Sequence, residues 1–285
     1  MAWDYDQDDL WSLIDDIDAT DADVWLVCAL LELAVESLVD AGELHTEVGA
    51  AVAGVVRTLH DGLAELATQT DNEGADLREL LSAQQVTRAR IADAAEGLRR
   101  AWPSSPSQRS ARELGVAACL VALDELGRAV NHVEAAVEAG ASDGVAYLAL
   151  GYLRYRQAID TFAPVDALDD RGKLRFQLAC LRAVSALEQG LGGDVDVHLH
   201  WYIALALEAA GFSEAAAEAW RRYDAATRAD EEGEDLVVDE DLPSQQLPQI
   251  SPDEEQQVSD ALKHLRSIEE LLGGSDETSP GSDEA

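Results

Sequence analysis

The residues of this chain that could do chemistry do not gather into any recognisable reacting set. Six histidines occur, at His45, His60, His132, His198, His200 and His264. Only His198 and His200 are close, and a spacing of two places them on different faces of a helix. There is no HEXXH, and Cys28, Cys119 and Cys180 lie far apart without a CxxC, so neither zinc nor a disulfide framework is expected. Asp4, Asp6, Asp8 and Asp15 fall at offsets reminiscent of a calcium loop. The position that needs glycine is Asp9, however, and the last ligand is not Glu. GxGxxG, GxxxxGK[ST] and GxSxG are all missing, and Gly190–Gly193 lacks the lysine of a phosphate loop. Carboxylate pairs are so frequent that none marks an acid–base couple. The expectation is a non-enzymatic protein with no metal and no cofactor.

The charge restricts the partners instead. Fifty-seven Asp and Glu stand against twenty Lys and Arg, a formal net charge of −37. Residues 1–56 hold fourteen acids and no Lys or Arg, and residues 230–285 hold eighteen acids against Lys263 and Arg266. Such a field repels phosphates and anionic headgroups, which argues against nucleic acid and membrane surfaces as direct partners. Only two lysines are present. Two sources fit an Asp-rich, Lys-poor surface, a high-salt habitat that screens self-repulsion and an ordinary GC-rich genome. The N-terminus MAWDYDQDD has no positive region and no apolar run reaches the roughly 20 residues of a bilayer span, so a cytoplasmic protein with reduced thiols is expected.

The elements that must carry these residues are helices. The apolar content is built from Ala, Leu and Val with few aromatics, and apolar positions recur at three- and four-residue spacing. Leu10, Trp11, Leu13, Ile14 and Ile17 make one stripe, read as a first helix docked on the core, with a detachable partner motif as the sharper alternative. Thr20 begins a capping-box-like start for a helix over Val24–Val39, followed by another over Leu44–Leu66, and the two are expected to form a hairpin. Gly49 and Gly54 inside the second imply close backbone contact with a neighbour. A long helix over Ala75–Trp102 ends at Pro103-Ser104-Ser105-Pro106. That break divides the expected organisation. Residues 1–102 form an acidic helical subdomain and 107–229 a region of helix pairs. Residues 230–251 are an acidic linker, 252–272 an amphipathic helix and 273–285 a disordered tail. Within 109–139 two helices are expected with a turn near Leu126-Gly127, then a turn at 140–144 capped by Ser142 or Asp143. A pair over Val145–Phe162 and Lys173–Gln189 comes next, and a last pair over Val197–Ala229.

The last pair carries a recognisable pattern. His200, Ile203-Ala204 and Leu207 on its first helix, with Ala216, Trp220 and Tyr223 on its second, resemble the tetratricopeptide repeat family. Tyr223 departs from the small residue of that family, and Arg228 stands where its closing proline would be. Tyr147, Leu150 and Gly151 fit the preceding pair, and 113–139 fits least, with Leu120 and His132 at small-residue positions. The resemblance spans roughly 110–229. It implies an all-α fold whose C-terminal half is a short α-solenoid with a concave face that holds a peptide or another protein.

On that face the candidate partner-binding residues are Tyr147, Arg154, Tyr155, Arg175, Trp201 and Tyr202. Arg154, Arg156, Arg171, Lys173, Arg175 and Arg182 form the main basic cluster. It is read either as internal pairing with the acidic termini or as a pocket for an acidic peptide. Val258, Leu262, Leu265, Ile268, Leu271 and Leu272 give residues 252–272 an apolar face that could cap the array or lie in its groove. The functional expectation is a scaffold or adaptor binding a protein. The alternative is an acidic chaperone-like or decoy protein that shields a basic partner through its charged termini.

Overall fold

The computed structural model describes residues 7–17, 22–70, 77–141, 144–191 and 197–233. The expected Thr20 cap, the 142–143 cap, Asp4 and Asp6, and everything beyond Gly233, the 252–272 segment included, lie outside the described residues. Within them the chain is all-helical, without strands. The helices are α1 (Gln7–Asp15), α2 (Ala22–Asp40), α3 (Glu47–Thr70), α4 (Leu77–Arg100) and α5 (Pro106–Ala122). They continue as α6 (Leu126–Ala139), α7 (Gly144–Phe162), α8 (Asp170–Gly190), α9 (Val197–Ala210) and α10 (Ser213–Gly233). None of them is long and apolar enough to cross a membrane.

Two helices at the centre are buried on nearly every side. In α2 the buried set runs through Leu26–Leu31 and on to Leu33, Ala34, Val35 and Leu38, and in α5 it includes Glu113 through Val121 without a gap. A helix that is apolar all round must be enclosed by others. These two enclose each other: α2 lies chiefly against α5, while α3 and α4 cover α5 from one side and α6 from another. The hairpin expected between α2 and α3 is therefore a minor contact, and α3 pairs with α4. One core cluster runs without interruption from Leu10 through Leu98 and Leu114 to Leu153. The break at Pro103 interrupts a helix but not the core.

α1 is docked. Leu10 and Ile14 are buried and the helix touches α2 and α3. Ser105 caps α5 by accepting from the Gln108 amide, with Pro106 at the first helical position, where a missing N–H costs nothing. The turn expected near Leu126-Gly127 falls just before them, at Asp124, whose φ of 62° is left-handed, and Gly127 lies inside α6. The Glu125 amide donates to the Leu120 carbonyl and the Asp124 amide to that of Val121, so Asp124 takes the place glycine usually fills after a helix.

From α5 onward the helices come in antiparallel pairs, α5–α6, α7–α8 and α9–α10, each leaning on the next. Small residues set the approach. A methyl placed on Gly151 of α7 would stand 2.3 Å from Leu187 Cγ of α8, so only glycine lets the two helices pack this closely. Gly54 is different. Nothing lies within 4 Å of its side-chain direction, so the close contact expected there is absent.

Candidate functional site

Among the described residues, three clusters bring buried ionisable or aromatic side chains together. The first is a polar cluster where α2, α7 and α9 meet. Tyr152 donates its hydroxyl to Asp23 Oδ1 at 2.7 Å, and Arg156 Nη1 donates to the same oxygen at 3.2 Å and to the Tyr152 oxygen at 3.1 Å. Burial, reinforced by the acceptor Asp23, holds the Tyr152 hydroxyl well above its ordinary pKa. The ring of Tyr152 meets that of Tyr202 edge-on at 5.0 Å. The set fastens α7 to α2; a tyrosine that donates a hydrogen bond to a carboxylate and keeps its proton is neither a nucleophile nor a base at neutral pH. Arg156 also borders an open depression of about 580 Å³ with Asp124, Gly127, Gln157 and Asp160. No histidine or cysteine lines it.

The second is Glu113, which is 8% exposed. It receives Arg112 Nη2 at 2.5 Å and pairs with His132 Nδ1 at 2.6 Å. Burial pushes its carboxyl upward, and the hydrogen bonds from His132 and Arg112 overcome this and leave it below its ordinary value. The third is the end of the last pair, where Trp201, Trp220 and Tyr223 stack edge-on with ring centroids 4.9, 5.1 and 6.1 Å apart. Beside them Glu218, 2% exposed, is held by Arg221 at 2.9 Å and Arg222 at 3.3 Å. His200 is lowered by burial and by the Arg222 charge. Among the described residues no three His, Cys, Asp or Glu side chains gather as a metal ion would need.

The six residues expected on one binding face are spread along the helix pairs. Arg154 is tied to Glu134 Oε1 at 2.7 Å and donates to the Arg182 carbonyl at 3.2 Å. Tyr147 packs at the Gly190 end of α8, and Arg175 stands near the opposite end of that helix. Fifteen residues of helix separate those ends, roughly 22 Å at 1.5 Å per residue. Tyr155 and Tyr202 are half-buried against the α7–α9 core, and burial beside Cys180 and Glu208 raises the Tyr155 hydroxyl. Trp201 belongs to the α9–α10 seam.

The basic cluster divides accordingly. Arg154 and Arg156 are spent on Glu134 and Asp23, whereas Arg171, Lys173 and Arg175 are exposed and form no ion pair with the described residues. Between them Leu174 is 56% exposed, a residue that inspection for motifs passes over. Its signal was available: it falls off the stripe of Phe176, Cys180, Val184 and Leu187 that α8 buries. The chain matches no family model, no curated protein and no solved structure.

Proposed function

We propose that this chain is a non-enzymatic adaptor whose paired helices over 107–229 form a tetratricopeptide-like array and whose α8 holds an acidic segment of another protein. One observation carries the reading. Arg171, Lys173 and Arg175 lie exposed around Leu174 without an ion pair among the described residues, in a chain of net charge −37. Carboxylates are abundant here, and most other described arginines have found one. These three cations also occupy the first turns of α8, where the helix dipole disfavours positive charge. An acidic partner would relieve that repulsion, and Leu174 would give it an apolar anchor.

The direct test is crosslinking in a native lysate of the wild-type chain beside the Arg171→Glu, Lys173→Glu, Arg175→Glu triple variant. These side chains are exposed, so the variant should fold as the parent does. Partner crosslinks should map to α8, weaken as salt is raised and vanish in the variant. Equal capture by both proteins would remove α8 from consideration. If capture instead depends on residues 1–19 and 230–285, the acidic decoy reading replaces this one.

A further inference from the structure

The array ends on an aromatic ledge that no described element covers. α9 lies on the seam between α7 and α8 and touches both. Side chains along that seam are closed to water: Leu148, Leu187 and Leu199 are 0% exposed and Ile203 6%. At the following seam, between α9 and α10, Trp201 is 37% exposed, and Trp220 and Tyr223 are half-buried. Three rings stacked on one another form a preorganised apolar surface of the kind that anchors a helix. The flank of α10 away from them carries Glu214, Arg221, Asp224 and Arg228, so the apolar surface is confined to the seam.

The chain itself supplies an occupant. Beyond Gly233 run residues 234–285, within which Val258, Leu262, Leu265, Ile268, Leu271 and Leu272 recur at helical spacing. We propose that residues 252–272 of the same chain fold back onto the α9–α10 seam and lay these positions over Trp201, Trp220 and Tyr223. The reach is sufficient. Residues 234–251 can extend up to roughly 60 Å at 3.3–3.6 Å per residue, and α10 is only about 31 Å long at 1.5 Å per residue. A second copy is a poorer occupant, because two chains of charge −37 repel each other, whereas a tethered segment acts at an effective concentration of about 1 mM. The ledge is distinct from the cations of α8, so this interaction stands or falls apart from the adaptor reading.

The test uses the full chain with His264→Cys labelled by bimane, a fluorophore quenched by tryptophan at contact. His264 flanks the apolar positions of the segment, and the three native thiols are buried. More than about half of the emission should be quenched, since an effective concentration near 1 mM saturates any contact tighter than that. The quenching should be independent of protein concentration. It should be relieved by Trp201→Phe with Trp220→Phe, which keeps rings in the seam, and by Leu262→Asp with Leu265→Asp in the segment. Absent quenching, or quenching indifferent to these changes, overturns the proposal. Quenching that fades on dilution assigns the ledge to a second copy and also overturns it. Backbone exchange gives an independent measure: amides of α9 and α10 should exchange about tenfold faster in the Leu262→Asp, Leu265→Asp chain if the segment protects them. Equal exchange contradicts it.

Discussion

Gly151→Ala with Leu187→Ala forms a cycle that tests whether close approach of α7 and α8 holds the paired helices together. Gly151 has ordinary helical backbone angles, so space alone decides the outcome. The new methyl would stand 2.3 Å from Leu187 Cγ and 2.4 Å from Cδ2, against about 3.5–4.0 Å for a comfortable carbon contact. Leu187 is fully buried among Leu148, Val184, Leu199 and Ile203, and Cγ is a branch point that cannot swing aside. Overpacking of this kind costs about 3 kcal/mol, at the upper end of its usual range. Replacing a helical glycine by alanine returns about 1 kcal/mol, for a net loss near 2. Leu187→Ala alone should cost about 3–4 kcal/mol through lost burial and the cavity left behind. In the double variant the methyl enters that cavity without a clash, so the total should resemble Leu187→Ala alone or fall slightly below it. Urea denaturation followed by far-UV circular dichroism would measure all four proteins. Single effects that add to within about 0.5 kcal/mol would mean that the two positions do not touch, and would refute the packing described for α7 and α8.

Asp124→Gly should stabilise the protein by about 0.5–1 kcal/mol, because a left-handed residue with a Cβ is strained where glycine is not; an unchanged thermal midpoint would deny the left-handed turn. Glu113 has a folded pKa below its ordinary value, so its contribution is complete above about pH 4.3 and is lost as pH falls through the lower folded value. Glu113→Gln should therefore flatten the acid limb of the stability curve below that pH and cost about 1–3 kcal/mol at pH 7, measured by urea melts across pH. Burial pushes the Cys28 thiol up to about 11 and those of Cys119 and Cys180 to about 12. All three should stay silent to a thiol-specific chromophore at pH 8 and react together in denaturant; rapid reaction of Cys119 or Cys180 in the native protein would contradict their burial. Arg154→Ala should lower stability by less than about 1 kcal/mol, since its partner Glu134 keeps access to water, and a larger loss in melts would show the pair to be structural.

Helices were legible in the sequence because a 3.6-residue stripe is a local property, and the ten described helices lie close to where periodicity and breakers place them. What was not legible is which helix meets which. α2 and α5 are buried on nearly every side, so neither has a single stripe that points at its neighbour, and their contact crosses the proline break that reads as a boundary. Gly127 drew the expected turn a few residues too far along, because the left-handed residue is Asp124 and not a glycine. The candidate site fared similarly. Residue type marked the arginines of 154–175, but only geometry separates Arg154, already occupied by Glu134, from Arg175, which faces water. Trp201 and Tyr202 are neighbours in sequence, yet about 100° of helical rotation sends one to the α9–α10 seam and the other to Tyr152.

The mutual enclosure of α2 and α5 has a consequence for how the chain is made. On the ribosome the whole of α1 through α4 emerges before any of α5 does, and the contact that buries α2 joins positions about 80 residues apart. Until then α2 holds Leu26, Leu30, Leu31 and Leu38 without their native cover. The later pairs close through neighbouring residues and can form as they are synthesised. The N-terminal helices wait on a segment made after them, and the fourteen acids of residues 1–56, with no Lys or Arg among them, repel one another in the waiting chain.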